Sequence, residues 1–106
     1  MYGLIGKFVA APGKREELLS ILLESTTAMP GCYAYIVARD TTDASSLWIT
    51  EVWEDEASHR ASLSLPEVRD AITRARPLIE SFGEHHVIEP VGGHGLNAPG
   101  ASQARG

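Results

Sequence analysis

The chain has a single cysteine, Cys32, so no internal disulfide framework can staple it. Cys32 follows Pro30-Gly31 at the start of a strand-like segment, where a buried, inert thiol is the expected state. No apolar run approaches the roughly 18 residues that mark a membrane-crossing helix. Met1 leads into strand-like sequence rather than a charged segment followed by an apolar one, so the cytoplasm is the expected location. Cations are few: nine Lys and Arg stand against fourteen Asp and Glu, a formal net charge of −5. Nucleic acids and anionic membranes both attract clustered cations, so neither is an expected partner. The nearest cluster, Arg69, Arg74 and Arg76, reads as a solvated helix face. A dinucleotide fingerprint is missing too, because Gly92-Gly93-x-Gly95 leads into no helix. His85 and His86 are neighbours on a strand-like segment and point to opposite faces, and no Cys, Asp or Glu at metal spacing joins them or His94. Neither a metal site nor a cofactor is expected.

What is present suits one compact domain. The 106 residues are too few for two, and a hydrophobic share of 43% is ordinary for a globular protein. A core this small makes homodimerisation a natural way to add buried area.

Residues 2–10 read as a strand ending at Ala11-Pro12-Gly13. Residues 14–28 read as a helix with Leu18, Ile21, Leu22 and Ser25 on one stripe, widened by Leu19 and Leu23. Met29-Pro30-Gly31 stops it. Two further strands, 32–40 and 47–53, flank a polar stretch of five residues and should form an antiparallel hairpin. Asp55 is the expected N-cap of a short helix through about Leu63. Ser64-Leu65-Pro66-Glu67 looks like a capping box opening another helix with Val68, Ile72 and Ala75 on its apolar stripe. Pro77 interrupts that pattern, residues 78–82 read as one more helical turn, and 84–91 as a fourth strand. The order β-α-β-β-α-β predicts an α+β, ferredoxin-like fold over residues 1–91. Residues 92–106, rich in Gly and Ala, read as a tail.

The segment Leu47-Trp48-Ile49-Thr50-Glu51-Val52-Trp53 carries the functional signal. Strand alternation puts Ile49, Glu51 and Trp53 on one face. A carboxylate sharing a face with an indole is unusual for a strand that only fills a core. Trp53 reads as a cavity wall that orients an aromatic ligand, or as a core residue. Glu51 reads as a base raised in pKa by burial, or as a salt-bridged carboxylate. His59 is the natural general base near neutral pH, or a surface residue of its helix. Tyr33 and Tyr35 are expected on one strand face, as donors to a substrate oxygen or as interface or core residues. Arg39, on that face as well, reads as an anion holder or one half of a rim salt bridge.

Through Pro30-Gly31-Cys32, the hairpin and Glu51-x-Trp53-x-Asp55-x-x-Ser58, the chain resembles the antibiotic biosynthesis monooxygenase family over residues 1–91. The resemblance implies a homodimeric α+β barrel. Members include oxygenases of polyketide anthrones, quinol monooxygenases and haem-degrading enzymes. In the polyketide oxygenases the strand Trp matching Trp53 is accompanied by an Asn four residues earlier, which here is Ile49. A His that many members carry about nine residues after the Trp is Ser62, and the His of a Ser-Pro-His pattern is Glu67. The haem-degrading set is therefore not met. His59 stands three residues from the usual His position.

Cofactor-free oxygenation remains open to such a chain when the substrate supplies the electron, as a deprotonated anthrone or hydroquinone does. The expected function is thus a cofactor-independent monooxygenase acting on an aromatic polyphenol, quinol or anthrone-like molecule with O2. Its expected catalytic residues are His59 and Glu51, and its substrate-binding residues Trp53, Tyr33, Tyr35 and Arg39. A non-catalytic small-molecule-binding dimer, favoured by the changes at Ile49 and Ser62, is the main alternative. An isomerase or lyase of the same superfamily and a regulatory dimer without a pocket are the others.

Overall fold

A computed structural model describes residues 1–24 and 29–96. Four strands, β1 (Tyr2–Ala10), β2 (Cys32–Arg39), β3 (Ser46–Trp53) and β4 (Ile79–Ile88), form one sheet in the order β2-β3-β1-β4. Every neighbouring pair is antiparallel. Helices α1 (Arg15–Glu24), α2 (Glu56–Ser62) and α3 (Pro66–Ala75) complete the α+β, ferredoxin-like fold.

Alternation along β3 decides which face is core. Leu47 and Ile49 are buried among Leu18, Ile21 and Leu22 of α1 and Ala71 and Ala75 of α3. The expected α1 stripe therefore packs as read at Leu18, Ile21 and Leu22, while Leu23 is largely exposed. Ser25 and the expected end of that helix lie outside the described residues. Glu16 and Glu17 occupy the first turn, where the helix dipole favours carboxylates.

The hairpin between β2 and β3 is tied by side chains. The Asp40 carboxylate accepts from the Trp48 indole Nε1–H at 2.8 Å and from the Thr42 backbone N–H at 2.8 Å. These bonds hold the Asp40 carboxyl far below the usual carboxylate range, the indole contributing most. Asp43 continues the pattern by accepting from the Ser45 N–H and the Ser46 hydroxyl.

Two boundaries differ from the sequence reading. The helix after Ser64 has Leu65, not Ser64, at its N-cap, and no side chain caps it. Pro66 takes the first helical position and holds Leu65 extended at the N-cap, so the expected capping box does not form. The second difference is β4, which spans Ile79–Ile88 rather than 84–91. Pro77 permits one 3-10 turn, Arg76–Leu78, and the chain then becomes extended. Phe82 and Gly83, read as a helical turn and its stop, belong to the strand. Gly83 lies beside Lys7 where the β1–β4 register shifts, and a Cβ there would sit 2.9 Å from the lysine Cδ.

Beyond β4, Gly92, Gly93 and Gly95 have positive φ. Residues 97–106 of the expected tail lie outside the described residues. No helix among the described residues is long and apolar enough to cross a membrane.

Candidate functional site

Past Ile49, the helix-facing side of β3 borders a cavity as well as core. Glu51 and Trp53 border a cavity of about 500 Å³ between the sheet and helices α2 and α3. Phe8 and Tyr35 extend its sheet wall, and His59, Ser62 and Leu63 of α2 face them. Val68 and Ile72 of α3, with Ile79 and Phe82 of β4, make the remainder mostly apolar. Trp53 is 1% exposed, so its ring is wall and core together.

Local sequence sets α2 against this wall. The Asp55 carboxylate accepts from the Ser58 backbone N–H at 2.8 Å and caps the helix. Gly31 has φ +80, and its carbonyl accepts from the Glu54 N–H at 2.8 Å. A Cβ on Gly31 would lie 2.6 Å from the Ser58 hydroxyl oxygen. Gly31 therefore gives both the left-handed backbone and the room that let the first turn of α2 approach β2. His59 is the next residue along that helix.

Glu51 is the electrostatic centre. Its Oε1 accepts from the Trp53 indole Nε1–H at 2.9 Å and lies 3.8 Å from His59 Nε2. Burial pushes the Glu51 carboxyl above the ordinary carboxylate range, and the Trp53 bond and the nearby His59 and His85 partly oppose this. Tyr35, opposite Glu51 on β2, has its phenol pushed well up by burial first and by Glu51 second, so it remains a protonated donor. Cys32, opposite Trp53, is pushed up to about 11 by burial and then by Glu51. It is a thiol, not a thiolate.

Four of the residues singled out in the sequence, Glu51, Trp53, His59 and Tyr35, meet at the cavity. Tyr33 and Arg39 do not line it. A bulge between Cys32 and Ala34 breaks the alternation that would give Tyr33 and Tyr35 a common face. Tyr33 instead lies within the electrostatic reach of Glu54 and Asp55. The Arg39 guanidinium grips Glu16 of α1 through two bonds, 2.9 and 2.6 Å long. Ile49, at the family's Asn position, is core, and the Ser62 hydroxyl is spent on the His59 carbonyl at 2.6 Å. Among the described residues no three His, Cys, Asp or Glu side chains converge to hold a metal ion.

Sequence reasoning missed the aromatic and apolar walls. Phe8 and Phe82 stack edge to face at 5.1 Å, and both line the cavity. Phe8 could have been found from the alternation of β1, whereas Phe82 was hidden by the misread start of β4. Met29, which the sequence marks only as part of a helix stop, is also a wall residue.

A four-stranded antiparallel sheet with helices on one face, closing over a largely apolar cavity with a buried carboxylate, defines a small ferredoxin-like α+β domain with a ligand-sized pocket. The model of the antibiotic biosynthesis monooxygenase family matches residues 1–74, and the chain belongs to that family. A provisionally named antibiotic biosynthesis monooxygenase from Chloroflexus aurantiacus J-10-fl is 56% identical, over 91% of this chain and 98% of its own, with a TM-score of 0.89. PA3566 from Pseudomonas aeruginosa is 22% identical over 85% of this chain and 93% of its own, with a TM-score of 0.75. A Deinococcus radiodurans protein, provisionally named for the same family, is 24% identical over 93% of this chain and 99% of its own, with a TM-score of 0.71. The last two likenesses concern the fold alone. No curated protein matches the chain significantly.

Proposed function

We propose that this protein is a cofactor-independent monooxygenase of an aromatic polyphenol, quinol or anthrone-like molecule. The observation that carries the reading is the convergence of Glu51, Trp53 and His59 on one mostly apolar cavity. The His59–Glu51 pair accepts a proton from the bound ring system. The resulting carbanion or phenolate reduces O2. For an anthrone, the CH2 carbon loses two hydrogens and gains one oxygen atom as C=O. The other oxygen leaves with those hydrogens as water. Tyr35 donates to the developing oxyanion, and the apolar walls keep bulk water from the intermediate. Tyr33 and Arg39, off the cavity lining, are proposed to act at its surroundings rather than on the ring.

The test is oxygen uptake by the purified protein without added metal, flavin or nicotinamide. Naphthoquinols, benzene hydroquinones and a simple anthrone serve as substrates, corrected for autoxidation. Catalytic uptake that falls in Trp53→Phe and His59→Ala is expected. Full activity in both variants would remove these residues from the mechanism.

A second reading, a small-molecule binder with the same cavity, is favoured by Ile49 and Ser62, which offer the cavity no Asn or His. Tight ligand binding without oxygen uptake would select it. Product formation without oxygen would select an isomerase or lyase instead.

The protein is also proposed to be a homodimer. Helices α1 and α3 cover one side of the sheet, and the other side carries the half-buried Trp48, with Ile36 near its edge and 56% exposed. Pairing two such faces would bury them. Size-exclusion chromatography with light scattering should give twice the mass of the 11.4 kDa chain. A stable monomer would sink the proposal.

A further inference from the structure

The His59 imidazole touches three side chains, and only one of them carries charge. Its ring centroid lies 5.4 Å from that of Trp53 at an interplanar angle of 66°, edge to face. It lies 5.7 Å from that of Tyr2 at 35°. Glu51 Oε1 stands 3.8 Å from Nε2, within ion-pair reach but too long for a hydrogen bond. The Ser62 hydroxyl fixes the His59 backbone carbonyl, not the ring. Among the described residues, no hydrogen bond orients the imidazole. Its orientation must come from ring packing.

Strand pairing explains why two aromatic rings are there. Tyr2 sits directly opposite Trp53 in the β1–β3 ladder, so their side chains share the helix-facing side. His59 arrives from α2 and meets both. Tyr2 does not line the cavity, whereas Trp53 and His59 do. Its contact is therefore with the histidine and not with a ligand.

We infer that Tyr2 is a positioning residue, which together with Trp53 clamps the His59 ring so that Nε2 stays turned toward Glu51. The phenol ring, not the hydroxyl, does this. The role in turnover rests on the oxygenase reading above. The clamp itself does not, and it can be observed without a substrate. A loose base is costly because displacement of about 1 Å can lower a rate roughly 100-fold.

The test uses the full chain, labelled at histidine and at the aromatic residues, in solution NMR. Nuclear Overhauser contacts from the His59 ring protons to both the Tyr2 and Trp53 rings are expected, with ring-current-shifted His59 resonances. Absence of the Tyr2 contact in the unsubstituted protein overturns the clamp, whatever the variants do. Tyr2→Phe should retain the His59 shifts, and Tyr2→Leu should move them toward those of an exposed histidine. Unmoved His59 shifts in a folded Tyr2→Leu protein would also overturn it. On a substrate found by oxygen uptake, Tyr2→Leu should lower kcat roughly 10- to 100-fold with little change in KM, and Tyr2→Phe should restore it. Clamped His59 resonances in a protein that never consumes oxygen would support the clamp and count against the oxygenase reading.

Discussion

The indole Nε1–H of Trp53 donates to Oε1 of Glu51 at 2.9 Å, from two residues further along the same strand face. The bond gives a buried carboxylate one of the few partners it has, and it works against the burial that raises the Glu51 pKa. Trp53→Phe keeps a ring in the wall but deletes the donor. Glu51 should then hold its proton to still higher pH, and the acidic limb of the pH–rate profile should shift upward. The lost bond and the smaller ring together should cost about 1–3 kcal/mol, read by urea denaturation.

Glu51→Gln separates function from stability. The folded-state pKa of Glu51 lies above its ordinary value of 4.5, so folding favours the neutral acid. That stability is fully present below the unfolded pKa and is lost as pH rises through the raised folded pKa. Glutamine is neutral throughout and can still accept from Trp53. The variant should therefore gain thermal stability over the unsubstituted protein as pH rises through that window, with a level difference beyond it. Oxygen uptake should fall by about 100-fold or more, the usual contribution of a general base. Melting curves across pH 4 to 8 check the first outcome and steady-state rates the second.

Gly31→Ala tests how α2 is seated. The residue would have to adopt φ +80, and its Cβ would meet the Ser58 side chain at 2.6 and 2.7 Å. A loss of about 1–3 kcal/mol is expected from the strained backbone alone. Because His59 follows Ser58 on α2, the rate should fall in a protein that still folds. Chemical denaturation and oxygen uptake on the same sample read both effects.

Much of this architecture is legible in the sequence because each element carries its own period or punctuation. The alternation in β3 puts Glu51 beside Trp53, and Asp55 announces α2. The places where the reading failed are those where a neighbouring strand decides. A bulge at the start of β2 separates Tyr33 from Tyr35, and nothing local in Cys32-Tyr33-Ala34 announces it. The early start of β4 follows from pairing of Phe82 with Phe8, a contact between residues far apart in the chain. The contact of Tyr2 with His59 likewise needs the β1–β3 register, since neither residue signals the other in sequence.

Ile49 bears on how far the family's chemistry carries over. It is 3% exposed, pairs with Gly6 of β1 and Val37 of β2, and packs in the main core. Restoring the family's Asn by Ile49→Asn would put an amide among Leu18, Leu22 and Leu47 in place of a branched alkyl group. The cost combines lost apolar burial with a buried polar group short of partners, about 3–5 kcal/mol in total. The amide would stand in the core, not at the cavity lining, so no gain in oxygen uptake is expected. Denaturation midpoints and turnover of the variant check both parts. A well-folded Ile49→Asn protein with faster turnover would mean that the wall reaches position 49, and that the oxyanion donor belongs there rather than at Tyr35.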